Sequence, residues 1–200
     1  LHLGEQSIRF AAPPSILSFA AIGGKKESEG PLGADFDECS ADTTFGQKSW
    51  EKAESRLQQL AFDTAKQKIG FRNQQIDVLF GGDLLNQCIG SSFALRETGI
   101  PFLGLYGACS TMAESLLLAA AAVRAGYAHT AAALTSSHFA SAERQYRFPL
   151  GYGGQRTPTA QWTVTGSGCC ILGRAPRGPY VTGATVGRIV DLGIKDANNM

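Results

Sequence analysis

The sequence predicts a layered α/β fold built on a mixed sheet. Short apolar runs bounded by glycine alternate along the chain with stretches of helical periodicity. Trp50 to Ile69 repeats its apolar residues at helical spacing, between a serine and a glycine suited to cap it. Pro101 to Tyr127, PFLGLYGACSTMAESLLLAAAAVRAGY, reads as strand, tight turn and helix in succession. With 200 residues, 44% apolar and 18% charged, the chain has enough apolar material for a packed core. It is read as one domain over residues 1–200.

The first strand is expected at Ile16 to Ile22, with Pro13 and Pro14 confining what precedes it to an edge or a turn. Gly23 to Lys48, rich in Gly, Asp, Lys and Glu, reads as a long surface excursion. In the helix Trp50 to Ile69, the residues Trp50, Ala53, Leu57, Leu60, Ala61 and Thr64 share one face. Glu51, Lys52, Gln58 and Gln59 fall mostly off it. Ile76 to Phe80 follows as a strand closed by Gly81 and Gly82, and Leu84 to Glu97 has helical stretches. Pro101 to Leu105 reads as a buried strand and Met112 to Ala125 as a helix that Gly126 can stop. Thr130 to Leu134 and Thr163 to Leu172 are further strands, and Tyr180 to Val190 is a strand broken by Gly183 and Gly187. Ala142 to Trp162 is read as a second long loop.

Three residues stand where α/β sheets gather their ligands, just past a strand's carboxyl end. Cys109 sits at the turn that feeds the Met112 helix. A helix N-terminus stabilises anions, a thiolate included, and its N–H groups can hold a carboxylate or an oxyanion. The alternative is an inert, buried cysteine. Asp83, in GGDLLNQ, either reaches a site or caps the following helix. His138, ending TSSH, is either a proton-transfer or ligand-binding group or a loop histidine held by local bonds. Arg144, Arg147 and Arg156 lie among Tyr146, Phe148, Tyr152 and Trp162, a composition that favours an interface or lid over direct ligand contact.

Several classes are excluded. A net charge of +1 and so few clustered arginines give no basis for a nucleic-acid partner. Five cysteines without framework spacing argue against a disulfide scaffold and for a reducing compartment. Three scattered histidines and no C-x-x-C argue against a zinc site, and no metal site is expected. The Gly-rich turn at Thr165 to Gly168 lacks the Lys-Ser/Thr ending of a phosphate loop. No signal peptide is visible, although the first residue is Leu, and the run Leu116 to Val123 is too short to cross a bilayer.

GACST followed by SLLLAAAAVRAGY resembles the active-site segment of the thiolase and ketoacyl-synthase superfamily. There a nucleophilic cysteine begins a buried, alanine-rich helix. TGSGCCILGR resembles that superfamily's Gly-rich strand closing the N-terminal half. More specifically, GPLG, QKSWEKAE, GGDLLNQ, YGACST, TSSH with AERQYRFP, YGGQ, TVTGSG and ATVGRIVDLGI resemble the stage V sporulation protein AD family, in blocks from Gly30 to Ile194.

The resemblance implies a thiolase-like fold, here its N-terminal half, with layered helices and a mixed sheet. A second half, with the histidine and the His or Asn partner of the nucleophile, would begin after Met200. The implied function is binding of dipicolinic acid, with calcium as a possible companion and no other cofactor, for its uptake into the developing spore. Integral membrane sporulation proteins are the implied partners, on the cytoplasmic face of the spore inner membrane, and a homodimer is expected. Asp83, Cys109 and His138 are the implied ligand-binding residues. Asp83 would repel a bare dianion, and fits if it bonds a protonated form or if calcium bridges the two. The alternative function is acyl transfer with Cys109 as the catalytic nucleophile.

Overall fold

The computed structural model describes residues 2–146 and 163–195, the side chains of residues 144–146 excepted. Strands β1 (His2–Leu3) and β2 (Ser7–Arg9) form a hairpin, and β2 pairs on its other side with β9 (Gly183–Thr185). The Pro13-Pro14 step separates this small sheet from the main one. Of the strand expected over Tyr180 to Val190, only the three residues of β9 form, together with a bridge from Tyr180 to Ser15.

The main sheet has six strands: β3 (Ser15–Gly23), β4 (Glu38–Cys39), β5 (Val78–Gly82), β6 (Phe102–Gly104), β7 (Ala131–Ser137) and β8 (Gly166–Gly173). Their order is β4-β3-β8-β7-β5-β6. β8 runs antiparallel to both its neighbours and the rest are mutually parallel, so the sheet is mixed. The expected excursion at Gly23 to Lys48 contains a short helix, α1 (Lys25–Ser28), a 3-10 turn and β4.

Both faces of the sheet are covered, as parallel strands require. On one side lie α2 (Trp50–Ile69) and α3 (Ile89–Leu95). Leu57, Ala61, Phe62 and Ala65 of α2 pack there on Ile22, Leu79, Leu134, Cys169 and Ile171. On the other lies α4 (Thr111–Ala125), whose Ala119, Ala120 and Val123 meet Phe80, Ala131, Ala133 and Leu172. Alternation along the strands sorts the two sets. Cys169 and Cys170 illustrate it, one packed in the α2 layer and the other against the α4 layer. Each fully buried Leu, Ile or Phe contributes about 1.5–3 kcal/mol.

Helix α2 has the bounds its sequence predicts. The Ser49 hydroxyl accepts from the Lys52 N–H at its start, and Gly70 ends it in the left-handed region at φ 68°. Three expectations need correction. Gln58 is fully buried, not off the packed face. Strand β6 is an edge strand with Leu103 54% exposed, not a buried one. Ala142 does not open a loop, because α5 (Phe139–Tyr146) runs through it. Arg147 and Arg156, with Phe148, Tyr152 and Trp162, lie outside the described residues.

In helix α4, Met112, Leu116, Leu117 and Leu118 are only half-buried. The stretch Ala108–Ala125 is long and apolar enough to cross a membrane by length and composition. Here it forms the second helical layer on β5, β7 and β8.

Candidate functional site

Strands β7, β5 and β6 are parallel neighbours, so their carboxyl ends form one edge of the sheet. Asp83 follows β5 directly, His138 follows β7 directly, and Cys109 follows β6 after the approach Leu105 to Ala108, which begins with Leu105 bonding back to the Gly81 carbonyl at 2.8 Å. The topology therefore brings all three sequence-predicted residues to one edge, the position where such sheets bind ligands. Gly82 makes this edge tight. A Cβ there would stand 1.9 Å from the Leu105 carbonyl oxygen.

Cys109 lies in the 3-10 turn Ala108–Ser110, immediately ahead of α4, and is exposed. The turn is built from local bonds. Ser110 donates from both its N–H and its hydroxyl to the Gly107 carbonyl, and the Gly107 N–H donates to the Thr111 hydroxyl at 3.2 Å. A Cβ on Gly107 would lie 2.3 Å from the Ser110 hydroxyl and 2.7 Å from a Glu114 carboxylate oxygen, so both side-chain ends would have to move to admit it. Glu114 in the first turn and Arg124 in the last complement the dipole of α4. The result is an accessible thiol at the positive end of a 15-residue helix.

Asp83 and His138 are placed differently. Asp83 is 1% exposed. One carboxylate oxygen accepts from the Leu85 N–H at 2.9 Å, and the other from the N–H and hydroxyl of Ser91 at 2.7 and 2.6 Å. It thereby clasps the loop from Leu84 to the start of α3, where Gln87 and Cys88 have positive φ, 58° and 52°. His138 is fully buried. Its Nε2–H donates to the Thr43 carbonyl at 2.7 Å and its Nδ1 accepts from the Ala140 N–H at 3.2 Å. Those partners fix a neutral tautomer, and burial holds the ring below its ordinary 6.5. Its ring stacks on Phe139 at 5.0 Å. Asp83 thus shapes the edge through bonds to its own loop and the start of α3, whereas His138 ties the end of β7 to the distant loop that carries Thr43.

Beneath this edge lies a polar network that the sequence reading missed. Glu54 and Gln58 of α2 are both fully buried. The Gln58 amide nitrogen is within 3.1 Å of the Gly82 carbonyl, 2.9 Å of the Ser91 hydroxyl and 3.1 Å of the Ser136 hydroxyl. Ser91 passes its own proton to Asp83, and Ser136 donates to Glu54 at 3.1 Å. A chain of hydroxyls and one amide therefore links two buried carboxyl groups. Because the Gly82 carbonyl can only accept, the amide orientation is fixed. The other end of that amide, Gln58 Oε1, has no hydrogen-bond partner among the described residues.

Glu54 has hydroxyl donors, and among the described residues no Lys or Arg is paired with it. Burial, with the Asp83 charge adding to it, pushes its carboxyl up from 4.5 to about 7. The Ser141 hydroxyl donates to Glu54 Oε2 at 2.5 Å and also lies 3.2 Å from the His138 carbonyl, a three-centre arrangement dominated by the carboxyl. The signal was present in the sequence. Glu54, Leu57, Gln58, Ala61 and Ala65 recur at the spacing of one helix face.

Known proteins agree with the architecture. Two solved structures share the fold. The 3-oxoacyl-[acyl-carrier-protein] synthase III of Aquifex aeolicus matches at TM-score 0.55 and 12% identity, over 82% of this chain and 55% of its own. The priming β-ketosynthase of a polyketide biosynthetic pathway matches at TM-score 0.53 and 16% identity, over 89% of this chain and 53% of its own. These likenesses establish a thiolase-like fold. At the level of sequence, the chain is 45% identical over 197 residues to the stage V sporulation protein AD of Bacillus subtilis, covering 98% of this chain and 58% of that protein. The chain thus spans somewhat over half the length of the curated relative it matches. The family model for stage V sporulation protein AD matches residues 4–200. The chain therefore belongs to the stage V sporulation protein AD family.

Proposed function

We propose that the protein binds dipicolinic acid, with or without calcium, for its uptake into the developing spore. Membership of the stage V sporulation protein AD family gives it a role in sporulation. The observation that carries the finer reading is the exposed Cys109 turn at the positive end of α4, on the sheet edge it shares with Asp83 and His138. Dipicolinate is a planar aromatic dicarboxylate. The positive end of the helix suits one carboxylate, and small residues from Gly107 to Ser110 leave room for the ring. In this reading Asp83 acts by holding its loop, and a calcium ion offsets the negative charge gathered nearby. The protein works as a homodimer, peripheral on the cytoplasmic face of the spore inner membrane, with integral membrane sporulation proteins as partners. Calorimetry with dipicolinate on the full-length protein tests this. Saturable heat is expected, and its absence both with and without calcium would refute the reading.

A second reading, acyl transfer by a Cys109 thiolate, is favoured by the accessible thiol and by the fold shared with the 3-oxoacyl synthase. Against it, both ring nitrogens of His138 are engaged elsewhere. An acyl adduct after incubation with acyl-coenzyme A, absent in Cys109→Ser, would establish it by mass spectrometry.

A further inference from the structure

Outside the sheet edge, α2 and α3 lie side by side and enclose a groove of about 550 Å³. Its two walls repeat at the same spacing. Lys52, Arg56 and Gln59 stand on one wall, and Ile89, Phe93 and Arg96 on the other, each set following i, i+4, i+7. The floor is tied across. The Ser55 hydroxyl donates to the Gly90 carbonyl at 2.9 Å, and the Gln59 amide to the Ala94 carbonyl at 3.1 Å. The groove is therefore preformed, which lowers the ordering cost of filling it.

Its chemistry is mixed. Ile89 and Phe93 are 46% and 53% exposed, one turn apart on the same wall. Lys52, Arg56 and Arg96 surround them, and Glu51 is the one acidic residue of the lining. Arg96 stacks over the Phe93 ring at 5.4 Å and keeps its guanidinium at the rim beside Glu97. The lining carries three cations and one carboxylate, and of the cations Arg96 is paired with Glu97 at the rim, so Lys52 and Arg56 supply most of the positive field. Two parallel helical ridges with apolar side chains between cations complement a third helix with an apolar stripe flanked by carboxylates.

We propose that the α2–α3 groove docks an acidic amphipathic helix of a partner protein. The partner's apolar residues pack on Ile89 and Phe93, and its carboxylates face Lys52, Arg56 and Arg96. This surface is separate from the Cys109 turn and does not depend on what the sheet edge binds.

A fluorescent synthetic helix of about 18 residues, five turns long, is the probe. It carries a leucine stripe flanked by glutamates, and it is titrated into the full chain and followed by anisotropy. A lysine counterpart and a scrambled glutamate peptide are the controls. The glutamate helix is expected to bind, the controls not. Lys52→Glu with Arg56→Glu should weaken the glutamate helix more than about tenfold and create binding of the lysine helix. That gain of binding also shows that the double variant folds. Phe93→Ser should weaken both. The proposal is overturned if the scrambled peptide binds equally well, or if charge reversal leaves the preference unchanged. It is equally overturned if millimolar inorganic phosphate displaces the helix, which marks a plain anion site. Binding of phosphatidylglycerol vesicles with the same charge dependence would mark a membrane surface instead, and would also overturn it.

Discussion

Replacing Glu54 by Gln tests the electrostatics beneath the candidate site. Glu54 is fully buried, its carboxyl is raised from 4.5 to about 7, and the groups acting on it are the Ser136 and Ser141 hydroxyls, the Leu84 N–H and the Asp83 carboxylate. The folded value lies above the unfolded one, so the unfolded chain ionises first as pH rises. The contribution of Glu54 to stability is complete below 4.5 and is lost as pH climbs through about 7. At roughly 1.4 kcal/mol per pH unit, that interval corresponds to a loss of about 3 kcal/mol. Glutamine keeps the shape and cannot ionise, so the variant lacks this slope. Urea denaturation of both proteins across the interval isolates the effect, because all other titrating groups are common to them. The wild type should lose about 3 kcal/mol more than Glu54→Gln between a buffer at the unfolded value of 4.5 and one above the folded value of about 7. Equal slopes would show that Glu54 is ionised in the fold and that the reasoning about its surroundings is wrong.

Gly90→Ala places a Cβ 3.0 Å from the Asp83 carboxyl carbon and 3.2 Å from each of its oxygens. Overpacking of this kind costs about 1–3 kcal/mol, read as a lower melting temperature, and dipicolinate binding should weaken with it as the Asp83 clasp shifts. The five thiols should differ in reactivity according to access. Iodoacetamide followed by peptide mapping should modify the exposed Cys109 first and the buried Cys169 last, burial pushing the latter's thiol up.

Helix α2 was fully legible because capping and periodicity are local properties, and Ser49 and Gly70 act within one turn of the residues they cap. The Cys109 turn was legible for the same reason. Burial was less so. The run at Pro101 to Leu105 has the composition of an interior strand, yet β6 stands at the edge, and strand order is not written in any one segment. Gln58 looked like a surface residue, because its partners Gly82, Ser91 and Ser136 lie 24, 33 and 78 positions away. Strand β5 extends through Gly81 and Gly82, which the sequence suggests as its end. Those glycines remain in the strand because neighbouring carbonyls approach where side chains would stand. Asp83 is not the cap residue of α3, whose N-cap is Cys88; from the sheet edge it fastens the loop ahead of that helix by accepting from the Leu85 and Ser91 N–H groups.

Within the contact between α4 and the sheet, Ala119 and Ala120 pack with Ala131 and Ala133, and Val123, Phe80 and Leu172 complete the layer. In so close-packed a layer an added methylene is accommodated by shifting the helix or its larger neighbours. A rod of 15 residues is about 22 Å long. A wedge near its middle or far end turns it as a lever and swings the tip that bears the Cys109 sulfur. Ala120, remote from any ligand, is thereby an adjustment point for the thiol's position.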